Sequence, residues 1–190
     1  EIKNRLDPRH YDPEIEKVLN KIKNLNGKNK IKVFKLKDLL DLKDNRVQKG
    51  KAFDEQLQGD ASNGVSFLEI KNITKDGVIF GEGVGSMEDK YILKSWIEEN
   101  KKYQLLEDDI VVAITGATIG KSGLITKQLM PLSFSGDIAR LRINKKLCDP
   151  LYIDSFLQSE LGQMQIYKWI NGATNLHLAT EAIEALKKIS

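Results

Sequence analysis

The spacing of apolar residues changes along this chain, and each change predicts a different element. Ile15, Val18, Ile22 and Leu25 recur at helical spacing. Asp12-Pro13-Glu14 precedes them with a side-chain cap, a proline for the first turn and an acid, so a helix starts there. Asn26-Gly27 stops it, and Gly27 to Lys32 reads as a polar loop. Val33 to Leu42 carries Phe34, Leu36, Leu39, Leu40 and Leu42 and predicts a short strand leading into a helical turn. Lys43 to Gly64 is long, polar and glycine-bearing; such a loop is either functional or disordered.

The middle of the chain has strand character. Val65 to Ile70 is β-rich, Asp76-Gly77 signals a hairpin, and Val78-Ile79-Phe80 is its return strand. Ile110 to Ile114 is apolar throughout, which predicts a buried strand within Asp109 to Thr115, and Gly123 to Thr126 is its hairpin partner. In Ile138 to Ile143, Ala139, Leu141 and Ile143 share one face, and Arg140 and Arg142 the other, so one face is core and the other wet. The last quarter is helical again. Asp149-Pro150 opens a helix with Tyr152, Ile153, Phe156 and Leu157 on its buried face. Met164, Ile166, Tyr167 and Ile170 form a second stretch, broken by Asn171-Gly172. Thr180 caps a final helix through Ile183, Leu186 and Ile189, with Glu181 at its positive end and Lys187 and Lys188 at its negative end. A helix, a mostly antiparallel sheet and further helices make an α+β domain: a helical entry segment 1–26, a sheet-rich body 31–145 and a helical carboxyl-terminal part 149–190.

Composition narrows the function. A 190-residue chain that is 41% hydrophobic builds one core and one domain. Mean hydropathy is −0.37, and no apolar run approaches the roughly 18–20 residues a membrane span needs. The charged stretch Glu1 to Arg9 is no secretion signal, which places the protein in the cytoplasm; the absence of an initiating Met fits a fragment or an expression product. Cys148 is the single cysteine, which excludes an intrachain disulfide and a cysteine-based zinc cluster, and His10 and His177 lack partners at metal-ligand spacing. Neither a metal nor a cofactor is expected. A net charge of +3 permits nucleic acid as a partner without demanding it, and lysines are dense from Lys17 to Lys51, with Arg140, Arg142, Lys145 and Lys146 clustered later.

Several motifs tempt. Gly116-Ala117-Thr118-Ile119-Gly120-Lys121-Ser122 nearly spells a P-loop, but it has three residues between its glycines where the P-loop needs four, and a hairpin follows instead of a helix. Gly81-Glu82-Gly83-Val84-Gly85 has the look of a methyltransferase cofactor loop. An amino-methyltransferase also needs an Asn/Asp-Pro-Pro-aromatic segment, and Pro8, Pro13, Pro131 and Pro150 are all isolated. Asp60 with Glu69-Ile70-Lys71 resembles a nuclease triad in which carboxylates hold Mg²⁺ beside a lysine. Asn171-Gly172-Ala173-Thr174-Asn175-Leu176-His177-Leu178 is a polar loop rich in donors and acceptors; it is either a base- or phosphate-touching loop or a capped, solvated turn.

Taken in order, these segments resemble the target-recognition domains of Type I restriction-modification specificity subunits and the equivalent domains fused to N6-adenine DNA methyltransferases. Arg5-Leu6-Asp7-Pro8 through Tyr11-Asp12-Pro13 is similar to the family's entry segment, and Leu36-Lys37-Asp38-Leu39 to its early leucine-bearing element. Val65 to Ile73 with Asp76-Gly77 resembles the first hairpin. Leu106 to Val111 followed by Gly116, Ile119, Gly120 and Lys121 resembles the Gly-Asp-Ile…Gly…Gly-Lys core, with Asp108 standing where glycine is usual. Asp149 to Ile153 with Phe156-Leu157 resembles the family's aromatic helix, and Gly172 to Leu178 its closing loop, with Asn175 where glutamine is common.

The resemblance implies a non-catalytic module that reads one half of a split duplex DNA sequence. It implies DNA adenine methyltransferase subunits as partners and, where present, a motor-nuclease subunit. Specificity subunits usually hold two such domains joined by long helices, so this chain is either half of one or the carboxyl-terminal part of a fused methylase. Residue type and loop position nominate Lys71, Lys75, Lys121, Arg140 and Lys168 for phosphates. The same criteria nominate Asn72, Ser122, Asn171, Thr174, Asn175 and His177 for base edges. The rivals are a Mg²⁺-dependent nuclease built on Asp60, Glu69 and Lys71, and a module that binds only protein.

Overall fold

In a computed structural model of the chain, residues 12–25, 32–44, 46–81, 89–172 and 176–189 are described. Asp12 caps the first helix as its chemistry dictates: its Oδ1 accepts the Glu14 backbone N–H at 2.9 Å. The helix, α1, spans Pro13–Leu25 and buries Ile15 and Ile22. Strand β1 (Val33–Lys35) runs into a single tight turn of helix at Leu36–Leu39, whose Leu36 and Leu39 are buried. The polar stretch that follows is tied into the fold. It supplies β2 (Gln48–Lys49) and Phe53, whose ring packs edge-on against Phe67 at 5.1 Å. Then come β3 (Gly64–Leu68), β4 (Ile73–Thr74), β5 (Gly77–Val78), β6 (Lys90–Leu93) and α2 (Lys94–Glu99). The second half holds β7 (Ile110–Ala113), β8 (Ser122–Leu124), β9 (Leu132–Phe134), β10 (Ile138–Leu141), α3 (Pro150–Gln158) and α4 (Glu160–Trp169). The chain closes with β11 (Ile170–Asn171), β12 (His177–Leu178), α5 (Thr180–Glu184) and β13 (Lys187–Ile189).

The main sheet is antiparallel, in the order β2-β10-β7-β8. Its central strand β7 is covered on both faces, which is why the sequence there is apolar at every position. Ile110 and Val112 join Ala139, Leu141 and residues of α3, α4 and α5 in one core. Val111 and Ala113 face the other way, onto Leu68, Ile73, Leu132 and Phe134. A second sheet, β6-β3-β9, pairs β3 antiparallel to β6 and parallel to β9. Each large side chain buried in these layers contributes roughly 1.5–3 kcal/mol. The architecture is α+β, as the sequence predicts.

Local pattern misleads at four places. The return strand after Asp76-Gly77 pairs with Ile73–Thr74, not with Val65–Ile70, because β3 takes β6 and β9 as partners. The last helix ends at Glu184, and Lys187 and Lys188 lie in β13, which pairs with β1. Thr180 does not cap it; Ala179 holds that position without a side-chain bond. The second face of β10 is not wet: Arg140 is 2% exposed. The carboxyl-terminal part is therefore helical with three short strands.

Candidate nucleic-acid interface

One edge of the main sheet gathers three of the polar segments singled out by sequence. The loop after β7 runs from Thr115 to Lys121, and Thr115 bridges antiparallel to His177, which joins that loop to the β11–β12 segment. The Leu178 N–H donates to the Ile114 carbonyl at 2.9 Å. Thr115 Oγ1 donates to Asp137 Oδ1 at 2.8 Å and ties the loop to the turn before β10. The β4–β5 hairpin lies across β8 so closely that a Cβ on Gly123 would sit 2.8 Å from Val78 Cγ2. Gly116, with φ +72°, is exposed and abuts Ile70, the neighbour of Lys71.

The near-miss P-loop is a turn whose backbone is already committed. Gly120 N–H donates to Ala113 at 2.8 Å, Lys121 N–H to Thr118 at 3.0 Å and Ile119 N–H to Gly116 at 3.3 Å. These amides leave no cradle for a nucleotide phosphate. Gly120 has φ +88°, and a Cβ there would sit 2.9 Å from Ile166 Cγ2. Only glycine both adopts that conformation freely and lets the loop approach α4.

Lys75, at the tip of the β4–β5 hairpin, and Lys121 line one cleft together with Thr74, Ser122, Gln158 and Gln163. Both lysines are exposed and neither takes part in an ion pair among the described residues. An exposed, uncommitted ammonium is what a phosphate contact requires. His177 is exposed and Asn171 half-buried on the adjoining segment. Thr174 and Asn175 lie outside the described residues, as do Arg5 to Tyr11 of the entry segment and Glu82 to Gly85 of the glycine-rich run. Lys71 is largely buried and pairs with Glu69 at 3.3 Å.

Four nominated residues do other work. Asn72 is fully buried: its Oδ1 accepts the Glu69 N–H at 2.9 Å and its Nδ2 donates to the Ile79 carbonyl at 3.1 Å. Ser122 is 2% exposed and donates its hydroxyl to Asp154 Oδ1 at 2.6 Å. Arg140 pairs with Asp44 at 3.3 Å inside the fold, where burial and then the charge of Arg142 lower its pKa. Lys168 pairs with Glu16; burial first and Lys187 second still hold its pKa below the usual lysine value. None of the four presents a free polar group to DNA, and they leave the candidate set. Gln158 and Gln163 enter it. They sit on α3 and α4, where the sequence signal is the apolar face, so their polar position had no local signature.

The residues of the nuclease constellation already have partners. Asp60 Oδ1 caps its own turn, accepting Ser62 N–H at 2.7 Å and the Ser62 hydroxyl at 2.5 Å, and these bonds hold its pKa below the ordinary carboxylate value. Glu69 gives one oxygen to Lys90 at 2.9 Å and the other to Lys71. Among the described residues no three His, Cys, Asp or Glu side chains gather as a metal site. Nor, among these residues, is any helix long and apolar enough to cross a membrane.

The fold and the cleft define a small α+β domain that gathers polar loops and two unpaired lysines at one edge of its main sheet. The family model for the Type I restriction modification DNA specificity domain matches residues 28–189, and the chain belongs to that family. Solved structures share the fold. The crystal structure of the Type I restriction-modification S subunit from M. genitalium is 14% identical with a TM-score of 0.54, covering 87% of this chain and 36% of that one. A structure described as the basis of complex assembly and conformational transition of the Type I R-M system is 12% identical with a TM-score of 0.53, covering 96% of this chain and 40% of that one. The chain thus spans well under half the length of either. No curated protein sequence matches it.

Proposed function

We propose that this chain reads one half-site of a split duplex DNA sequence for a complex that methylates adenine at N6. The partners are DNA adenine methyltransferase subunits and, where present, a motor-nuclease subunit, and the complex works in the cytoplasm. Membership of the DNA specificity family supports this reading. The observation that carries it is the cleft in which Lys75 and Lys121, far apart in sequence, meet as uncommitted cations beside amide side chains. Cations that touch phosphates supply affinity without sequence preference, and the neighbouring polar groups supply preference. Asn171, Thr174, Asn175 and His177 complete the proposed surface, whereas Lys71, paired with Glu69, is left out of it.

The test is duplex binding across a salt series. Lys75→Ala and Lys121→Ala each lower affinity for all sequences about equally and flatten the dependence of log affinity on log salt by about one unit. Unchanged affinity and slope in both variants would remove the cleft from the DNA surface.

A further inference from the structure

Gln158 and Gln163 face the cleft between Lys75 and Lys121, and internal bonds orient both amides. Gln158 Nε2 donates to Asp154 Oδ2 at 2.9 Å, while the other oxygen of Asp154 takes the Ser122 hydroxyl at 2.6 Å. Asp154 is 5% and Ser122 2% exposed, so this anchor is built into the fold. A carboxylate only accepts, so the Gln158 nitrogen must face it. Gln163 Nε2 donates to two carbonyls, Gly120 at 3.0 Å and Leu157 at 2.7 Å, which uses both of its hydrogens. Neither Oε1 accepts a hydrogen among the described residues. The cleft therefore offers two lysine ammoniums and two fixed amide oxygens.

Those oxygens decide the ligand. A phosphate seated between them would meet acceptor against acceptor. A hydrogen donor flanked by phosphates fits, and on a base edge in the major groove that donor is an exocyclic amino group. Adenine and cytosine carry one, whereas guanine and thymine present carbonyl oxygens. Gln158 also keeps one amide hydrogen, which can donate to purine N7 beside the amino group, the paired contact glutamine makes with adenine.

We infer that Gln158 selects adenine at one position of the target, with Asp154 and Ser122 as positioning residues. This rests on the DNA-reading function proposed above.

The experiment first selects preferred duplexes with the 190-residue chain. Each adenine of the preferred sequence is then replaced in turn by unsubstituted purine, which lacks the N6 amino group. For the unaltered protein, one replacement weakens binding about tenfold. Gln158→Leu, a change at an exposed position, is expected to show the same loss on the parent duplex and no further loss on the purine duplex, with an unaltered salt slope. Asp154→Asn and Ser122→Ala free the Gln158 amide to turn and relax preference at that position alone. Full preference at every position in Gln158→Leu, with salt-sensitive binding intact, overturns this inference and leaves the DNA-reading function standing. No salt-sensitive binding by the unaltered chain overturns both.

Discussion

Asp109→Ala tests the packing logic of the sheet. Asp109 is 1% exposed, and its carboxylate grips Arg142 with both oxygens, Oδ1 to Nε at 2.7 Å and Oδ2 to Nη2 at 2.8 Å. Oδ2 also accepts the Leu106 N–H at 2.7 Å. Burial opposes the charge on Arg142, but its hydrogen bonds and charge pairing with Asp109 and Asp44 outweigh that and raise its pKa. Alanine removes the two-pronged pair and leaves the Leu106 N–H without its acceptor. Breaking a buried ion pair costs about 3–5 kcal/mol. Arg142 keeps Asp44 and its side chain is 22% exposed, so the low end applies, about 3 kcal/mol. For a chain of this size that lowers Tm by roughly 6–12 °C. Differential scanning calorimetry measures it, and a double-mutant cycle with Arg142→Met isolates the pair. A shift under about 2 °C, or a cycle in which the two changes simply add, would refute the reasoning.

Gly120→Ala places a Cβ 2.9 Å from Ile166 Cγ2 at φ +88°, and it should cost about 2 kcal/mol, or roughly 4–8 °C in Tm, by thermal melt. Asp108 sits at φ +68°, so Asp108→Gly is expected to be more stable than Asp108→Ala by about 1 kcal/mol in denaturant titration; equal stability contradicts the conformational argument. Ser62→Ala removes the largest bond that lowers the Asp60 pKa, and NMR titration should show it rising toward 3.8. The linkage has a definite sign. Because the folded pKa is depressed, this stabilisation is present above about pH 3.8 and is lost as pH falls through the folded value.

Much of the fold is legible because the signals are local. Asp12-Pro13 and Asp149-Pro150 start helices by satisfying or dispensing with orphan N–H groups, and both caps form at 2.9 Å. The apolar run of β7 reads as a strand buried on both faces, and that is its place in the sheet. The tail is different. Ile183 and Leu186 are buried at helical spacing, yet β13 is held by β1 at the far end of the chain, a pairing no local pattern encodes.

The site was half legible for the same reason. Lysines on loops, such as Lys75 and Lys121, stay exposed because burying an unpaired ammonium is costly. A polar residue inside a strand is ambiguous until its partner is known. Ser122 finds Asp154 across 32 positions of sequence, and Arg142 finds Asp44 across 98. Ser122 and Arg140 in strands, and Asn72 in the helical turn Ile70–Asn72, are buried against partners that residue type alone does not reveal. Asp108 holds a left-handed conformation at φ +68°, a region that favours glycine and that no local pattern announces.

The most direct test of the central claim is selection of duplexes from a random pool by the 190-residue chain, sequenced at two salt concentrations without methyltransferase subunits. The account predicts enrichment of one short motif of roughly 3–5 base pairs, with affinity falling as salt rises. Failure to bind duplex DNA even at low salt would contradict it.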